Sequence, residues 1–209
     1  MMKIKVCGMK FPDNIRAVAA LEPDFFGLIF YPHSPRFVGY EVDEELAMLR
    51  LPAKKVGVFV DKDFSTIKSI IEKYQLDMVQ LHGNESAETC AALKKSVGVI
   101  KAFGVDENFD FDQLKAYENS VDYFLFDTKT VVHGGSGKSF DWHVLEKYQL
   151  NVPFFISGGL SNENISSALQ FKHPAFYGLD LNSRFEDEPG VKNIEKLKEA
   201  FDLIRAENV

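Results

Sequence analysis

Ile4-Lys5-Val6-Cys7-Gly8-Met9-Lys10 carries a short apolar run into a cysteine and a glycine, and Pro12-Asp13-Asn14 then leads into a helical pattern ending at Leu21. This is a β-then-α unit: a run suited to a buried strand, followed by apolar residues at helical spacing. The unit recurs along the chain. Strand patterns fall at Lys3–Cys7, Phe25–Phe30, Lys55–Val60, Met78–Leu81, Val97–Phe103, Tyr123–Asp127, Pro153–Ser157 and Ala175–Leu179. Helical patterns alternate with them at Asn14–Leu21, Asp43–Arg50, Phe64–Tyr74, Ser86–Lys94, Asp110–Tyr117, Asp141–Tyr148, Asn162–Phe171 and Asn193–Ala206, several opened by Asp, Ser or Asn in a capping position. In the last, Ile194, Leu197, Ala200, Phe201 and Ile204 form a core stripe rather than a cofactor box. Eight units spaced by roughly 26 residues call for right-handed crossovers and an all-parallel sheet. Closing that sheet gives an α/β fold, a (β/α)8 TIM barrel with residues 1–209 as one domain. A doubly wound open sheet is the rival, but it usually has fewer strands, and no GxGxxG follows the first strand here.

Composition narrows the function classes. A hydrophobic fraction of 45% and a charged fraction of 26% suit a globular domain with a proper core, not a disordered or membrane-embedded chain. The net charge of −7, with no dense Lys/Arg stripe, argues against a nucleic-acid or anionic-membrane surface, so an anionic ligand must be held locally. Cys7 and Cys90 stand far apart and outside any CxxC, which points to neither a disulfide framework nor a cysteine zinc site but to a reducing compartment. The polar turn at Lys10 and Pro12-Asp13-Asn14 comes before any apolar stretch reaches signal-peptide length, and no run approaches a membrane span, so the cytoplasm is the expected location.

In a TIM barrel the residues just after the strands converge on one face, where the active site sits. Cys7-Gly8, Tyr31 to Arg36, Asp61, His82-Gly83, Asp127-Thr128, Gly158-Gly159 and Asp180 with Asn182-Ser183-Arg184 all fall there. Cys7 is either a small buried hydrophobe or, beside a helix N-terminus or a cation, a thiol lowered from about 8.5 toward thiolate. Ile156-Ser157-Gly158-Gly159-Leu160 reads as a strand and a glycine pair whose N–H groups can approach a phosphate; otherwise it is a tight turn. The loops after strands seven and eight commonly build the phosphate site of such barrels. Asp127 follows a run of aromatics that could desolvate it enough to keep a proton as general acid, or it caps a loop. Arg36 is either a fork for a substrate carboxylate or a solvated arginine. His82 is a ligand, an acid–base group or a satisfied histidine, and the spacing of His33, His133, His143 and His173 fits no metal motif. Cys90 reads as core. His133-Gly134-Gly135-Ser136-Gly137-Lys138 lacks the P-loop spacing and reads as a lid over the site.

These motifs together resemble the phosphoribosylanthranilate isomerase family of tryptophan biosynthesis. The resemblance is carried by Lys5-Val6-Cys7-Gly8, Gly27-Leu28-Ile29-Phe30-Tyr31 with Ser34-Pro35-Arg36, Val56-Gly57-Val58-Phe59-Val60, Val79-Gln80-Leu81-His82-Gly83, Phe126-Asp127-Thr128, Gly134-Gly135-Ser136-Gly137 with Phe140-Asp141-Trp142, and Gly158-Gly159-Leu160. It implies a cofactor-free Amadori rearrangement of N-(5-phosphoribosyl)anthranilate, with Asp127 the acid that opens the furanose and Cys7 the base that takes the C2 proton. It also implies that Arg36 holds the anthranilate carboxylate, that Asp180 lies near the sugar or bridging nitrogen, and that His82 is among the substrate-binding residues. Gly158, Gly159 and the segment Asn182-Ser183-Arg184 would hold the phosphate. That segment departs from the family's Asp-Val-Ser-Ser-Gly-Val-Glu, because Arg184 stands where glycine is usual. The implied partner is the phosphorylated sugar–anthranilate substrate, with no nucleic acid or membrane, and the chain could be a monomer or a homodimer.

The rivals are distinguished by chemistry. The related sugar isomerase of histidine biosynthesis uses a carboxylate where Cys7 stands and two phosphate sites. Indole-glycerol-phosphate synthase would need lysines at strand ends. A metal-dependent epimerase would need paired His/Asp ligands and would respond to EDTA, and a non-catalytic sugar-phosphate binder would show no turnover.

Overall fold

The computed structural model describes residues 1–39, 41, 43–128 and 141–207. Its eight strands are β1 (Lys3–Met9), β2 (Phe25–Ile29), β3 (Lys54–Phe59), β4 (Met78–Leu81), β5 (Gly98–Val105), β6 (Tyr123–Thr128), β7 (Phe154–Ile156) and β8 (Phe176–Leu181). Each pairs in parallel with the next, and β8 closes on β1 with Lys5 opposite Asp180, so the expected (β/α)8 barrel is observed. The helices α1 (Pro12–Ala19), α2 (Glu44–Met48), α3 (Phe64–Tyr74), α4 (Ala87–Lys94), α5 (Ile165–Gln170) and α6 (Ile194–Ala206) follow their strands. Side chains of Asp43, Asp63, Ser86 and Asn193 cap four of them by accepting a backbone N–H three residues on.

Strand alternation makes two cores. Outward residues such as Leu28, Val79, Phe124, Phe126 and Phe154 pack with Ile15, Ile67, Leu93, Leu145 and Leu197 in the layer beneath the helices. Inward residues Phe25, Val56, Met78, Ile100, Leu125 and Phe155 plug the lower barrel, with Phe25 and Phe155 meeting edge to face at 5.4 Å. Each such buried side chain contributes about 1.5–3 kcal/mol, so the plug is a rigid floor rather than a channel. One step up, Gln80, Asp127 and Ser157 bring polar groups to the inward face, and the mouth of the barrel begins.

Three features differ from the expectation. First, β8 runs to Leu181, so Asp180 sits on the strand, aimed inward, rather than after it. Second, the segments after β5 and β6 are 3₁₀ helices, Phe111–Tyr117 and Trp142–Lys147, entered through Asp110 and Asp141 accepting N–H groups only two residues on. A 3₁₀ helix climbs about 2.0 Å per residue against 1.5 Å, so a short segment spans more of the barrel's height. Third, between β8 and α6 the chain makes a 3₁₀ turn at Ser183–Phe185 and a small antiparallel hairpin, β9 (Glu186–Glu188) and β10 (Val191–Lys192), turning through Gly190 at φ +93°. The stretch His133–Lys138, expected as a lid, lies outside the described residues. No helix among the described residues is long and apolar enough to cross a membrane.

Candidate active site

A cavity of about 490 Å³ opens at the C-terminal ends of the strands, within the usual size for a small-molecule site. Cys7, Arg36, His82, Asp127, Gly158, Gly159, Asp180 and Asn182 all line it, drawn from six different strands or the loops after them. Ser183 and Arg184 do not. Ser183 is half-buried and Arg184 is exposed. An Arg184→Gln substitution is therefore expected to leave the Michaelis constant within about threefold of wild type, as exposed charges contribute little. A tenfold rise would make Arg184 a phosphate ligand.

Cys7 is only 4% exposed. Burial pushes its thiol above the ordinary range, and Lys5 and Lys192 only partly offset that. The expectation of a thiol lowered toward thiolate at rest is thus corrected: desolvation outweighs the nearby cations. Lys5, two residues earlier on the same strand face, donates to Asp180 Oδ1 at 2.9 Å with no exposure of its own. Burial opposes its charge, but Asp180 and the Cys7 sulfur more than compensate, so its ammonium is held above the usual lysine range. The thiol is therefore buried beside a fixed cation that stabilises its anion once it forms.

Across the mouth, Asp127 ends β6. Its aromatic neighbours Phe124 and Phe126 point outward into the helix layer, so they do not enclose its carboxyl. Polar groups meet it instead. Thr128 N–H donates to Oδ1 at 2.8 Å, and His82 Nε2 lies 3.4 Å from Oδ2. Gly158, at φ +85°, closes the third side: a Cβ there would stand 2.6 Å from Asp127 Oδ1 and from Thr128 N. Gly158→Ala combines a strained φ with displacement of the carboxyl, and is expected to lower kcat by about 10- to 100-fold, read in steady-state assays. Unchanged kcat would show that this carboxyl position does not matter.

The anion-binding arms are more tightly knit than the sequence suggested. Arg36 Nε and Nη2 both donate to the Glu186 carboxylate, at 2.6–3.0 Å, leaving Nη1 without a hydrogen bond among the described residues. Lys192 donates to Glu186 Oε1 at 2.6 Å and to Asn182 Oδ1 at 2.8 Å. Burial alone would raise the Glu186 carboxyl, yet Arg36 and Lys192 hold it below the ordinary range. Lys192 is lowered to about 8, mainly by burial. Gly8, at φ +76°, lets both arms cross the strand end, since a Cβ there would lie 2.5 Å from Arg36 Cδ and 2.6 Å from Asn182 Oδ1. On β7 the glycine pair is braced by Asn164, whose Nδ2 donates to Gly159 O at 2.9 Å.

Lys5, Gln80, Glu186 and Lys192 were not singled out from the sequence. Period-two spacing could have found Lys5 and Gln80, each two residues before a chosen residue and so on the same inward face. Glu186 and Lys192 depend on the β9–β10 hairpin, which carries no pairing signal in its local residue pattern.

The family model described as N-(5'phosphoribosyl)anthranilate (PRA) isomerase matches residues 4–203. The chain belongs to the phosphoribosylanthranilate isomerase family. It is 51% identical over 203 residues to an N-(5'-phosphoribosyl)anthranilate isomerase of Parabacteroides distasonis, covering 94% of this chain and 90% of that protein. It is 42% identical over 193 residues to one of Phocaeicola vulgatus, covering 92% of each. The phosphoribosyl anthranilate isomerase of Thermotoga maritima superposes with a TM-score of 0.85 at 31% identity, over 99% of this chain and all of the other. Another solved phosphoribosyl anthranilate isomerase, at TM-score 0.81 and 27% identity over 99% of this chain and 100% of the other, is in complex with reduced 1-(o-carboxyphenylamino)-1-deoxyribulose 5-phosphate. As a phosphoribosylanthranilate isomerase, the chain is an enzyme of tryptophan biosynthesis that converts N-(5-phosphoribosyl)anthranilate to 1-(2-carboxyphenylamino)-1-deoxyribulose 5-phosphate by acid–base catalysis.

Proposed function

We propose that Asp127 is the acid and Cys7 the base of this rearrangement. The observation that carries the assignment is their placement: two proton-transfer groups from β6 and β1 line one cavity above an apolar floor. Asp127 gives its proton to the furanose ring oxygen as the C1–O bond breaks, and the anilinic nitrogen lone pair forms the C1=N bond of a protonated Schiff base. The Cys7 sulfur, as thiolate, then takes the C2 proton; the C2–H electron pair becomes a C1–C2 enolamine, which tautomerises to the 2-ketone. Lys5 stabilises the thiolate, and burial makes that anion a strong base when it forms.

Binding uses the remaining groups. Arg36, held rigid by Glu186, presents its free Nη1 edge to the anthranilate carboxylate. Gly158, Gly159 and Asn182, which line the cavity, hold the phosphate. Asp180 and His82 face the sugar and bridging nitrogen. The substrate is a phosphorylated small molecule, and the enzyme works in the cytoplasm.

The test is direct. Purified protein added without metal to phosphoribosylanthranilate, followed by the substrate's fluorescence, should make the signal decay in proportion to enzyme. A signal that persists while the ligand still binds would favour a non-catalytic binder.

A further inference from the structure

Gln80 lies on β4, 1% exposed, with its side chain in the cavity wall directly above the barrel floor. Its Nε2 is 2.9 Å from His82 Nδ1, and its Oε1 is buried with no hydrogen-bond partner among the described residues. An amide nitrogen only donates. Nδ1 of His82 is therefore the acceptor, the ring proton sits on Nε2, and that N–H is the edge facing Asp127 Oδ2 at 3.4 Å. No other side chain among the described residues is within hydrogen-bond distance of the His82 ring except Asp127.

We propose that Gln80 is a positioning residue, fixing the tautomer of His82 so that an N–H faces Asp127 throughout the resting state. The inference rests on Asp127 being the acid. Its consequence is directional: once Asp127 has given up its proton, the carboxylate already holds the Thr128 N–H at Oδ1 and has the Nε2–H edge of His82 3.4 Å from Oδ2. A histidine of the other tautomer would present a lone pair to that new anion. The His82 contact is the one side-chain hydrogen bond of the Gln80 amide among the described residues, so the tautomer is set at that contact rather than by a closed network. The other charged group coupled to this pair is Asp180 of β8, tied to Lys5 of β1; Asp61 and Glu85, in the loops after β3 and β4, and Lys101 of β5 are engaged with neighbouring backbone, and Lys101 pairs with Glu85.

Nitrogen-15 NMR of histidine-labelled protein, without substrate, reads the tautomer directly. Wild type should show His82 protonated at Nε2 and bare at Nδ1. Gln80→Glu, which only accepts, should bring a proton to Nδ1, and Gln80→Met, which matches the volume without hydrogen bonds, should leave both tautomers populated. In steady state, Gln80→Met should lose about tenfold in kcat with the Michaelis constant within twofold. A wild-type ring protonated at Nδ1, unchanged ring signals in both variants, or a cost confined to the Michaelis constant would each overturn the proposal; the last would make Gln80 a substrate ligand. Because the tautomer is read on the resting protein, a failure of the Asp127 assignment would appear separately, as retained turnover in Asp127→Asn.

Discussion

Cys7→Ala lowers kcat by about 10³-fold or more, in keeping with the loss of a positioned base, while product affinity stays within a few-fold of wild type. The substitution should be quiet in structure. Cys7 Sγ packs against the Cα of Gly27, where a Cβ would come within 2.8 Å of it, so its loss leaves only a small void, costing about 1 kcal/mol. The same thiol predicts a pH dependence. Since burial raises Cys7 above the range of an ordinary cysteine, the reactive anion is scarce at neutral pH and grows as pH rises. For the free enzyme, kcat/KM should therefore climb with pH into and beyond the range where ordinary cysteines ionise. A plateau already reached at mildly acidic pH would show that the cations lower the thiol after all. A Cys7→Ala enzyme within tenfold of wild type would remove Cys7 from the reaction.

Much of this could be read from the chain, and the boundary between what could and could not is physical. The eight strands followed from local patterns: β-branched and aromatic runs recur, and β4 is found at Met78–Leu81 as its pattern suggests. The mouth of the barrel followed from topology, because parallel closure sends every strand end to one face and so gathers Cys7, His82, Asp127 and Gly158 without any contact information. What stayed hidden depends on distance in sequence. The Lys5–Asp180 pair spans 175 residues, and the Arg36–Glu186 pair spans 150. Neither partner's identity announces the other. The state of Cys7 stayed open for a related reason: a cation could be imagined beside the thiol, but the completeness of its burial emerges only when β1, β2 and β8 close around it. Asp127 shows the converse error, since aromatics adjacent in sequence point to the opposite face of a strand.

Asp127→Asn is expected to match the loss expected for Cys7→Ala, with kcat falling about 10³-fold, although it changes no volume. The carboxyl accepts from Thr128 N–H at Oδ1, and His82 Nε2 lies 3.4 Å from Oδ2. Asparagine has one acceptor. If its oxygen stays with Thr128, its NH₂ meets the His82 N–H head on, and His82 must move its proton to Nδ1 or turn away; if the amide reverses, the Thr128 N–H is left facing a donor. Either way a local contact worth about 1–3 kcal/mol is lost, and no group remains to protonate the ring oxygen. The product carries an open chain and needs no such proton, so its dissociation constant should change by only a few-fold. The order of effects then separates the roles. Gly158→Ala keeps the carboxyl and moves it, giving a partial loss, whereas Asp127→Asn keeps the position and removes the proton. Should Asp127→Asn retain more than a tenth of wild-type kcat while Gly158→Ala is severely impaired, the acid must be another group at the same rim, with Asp127 only shaping the pocket.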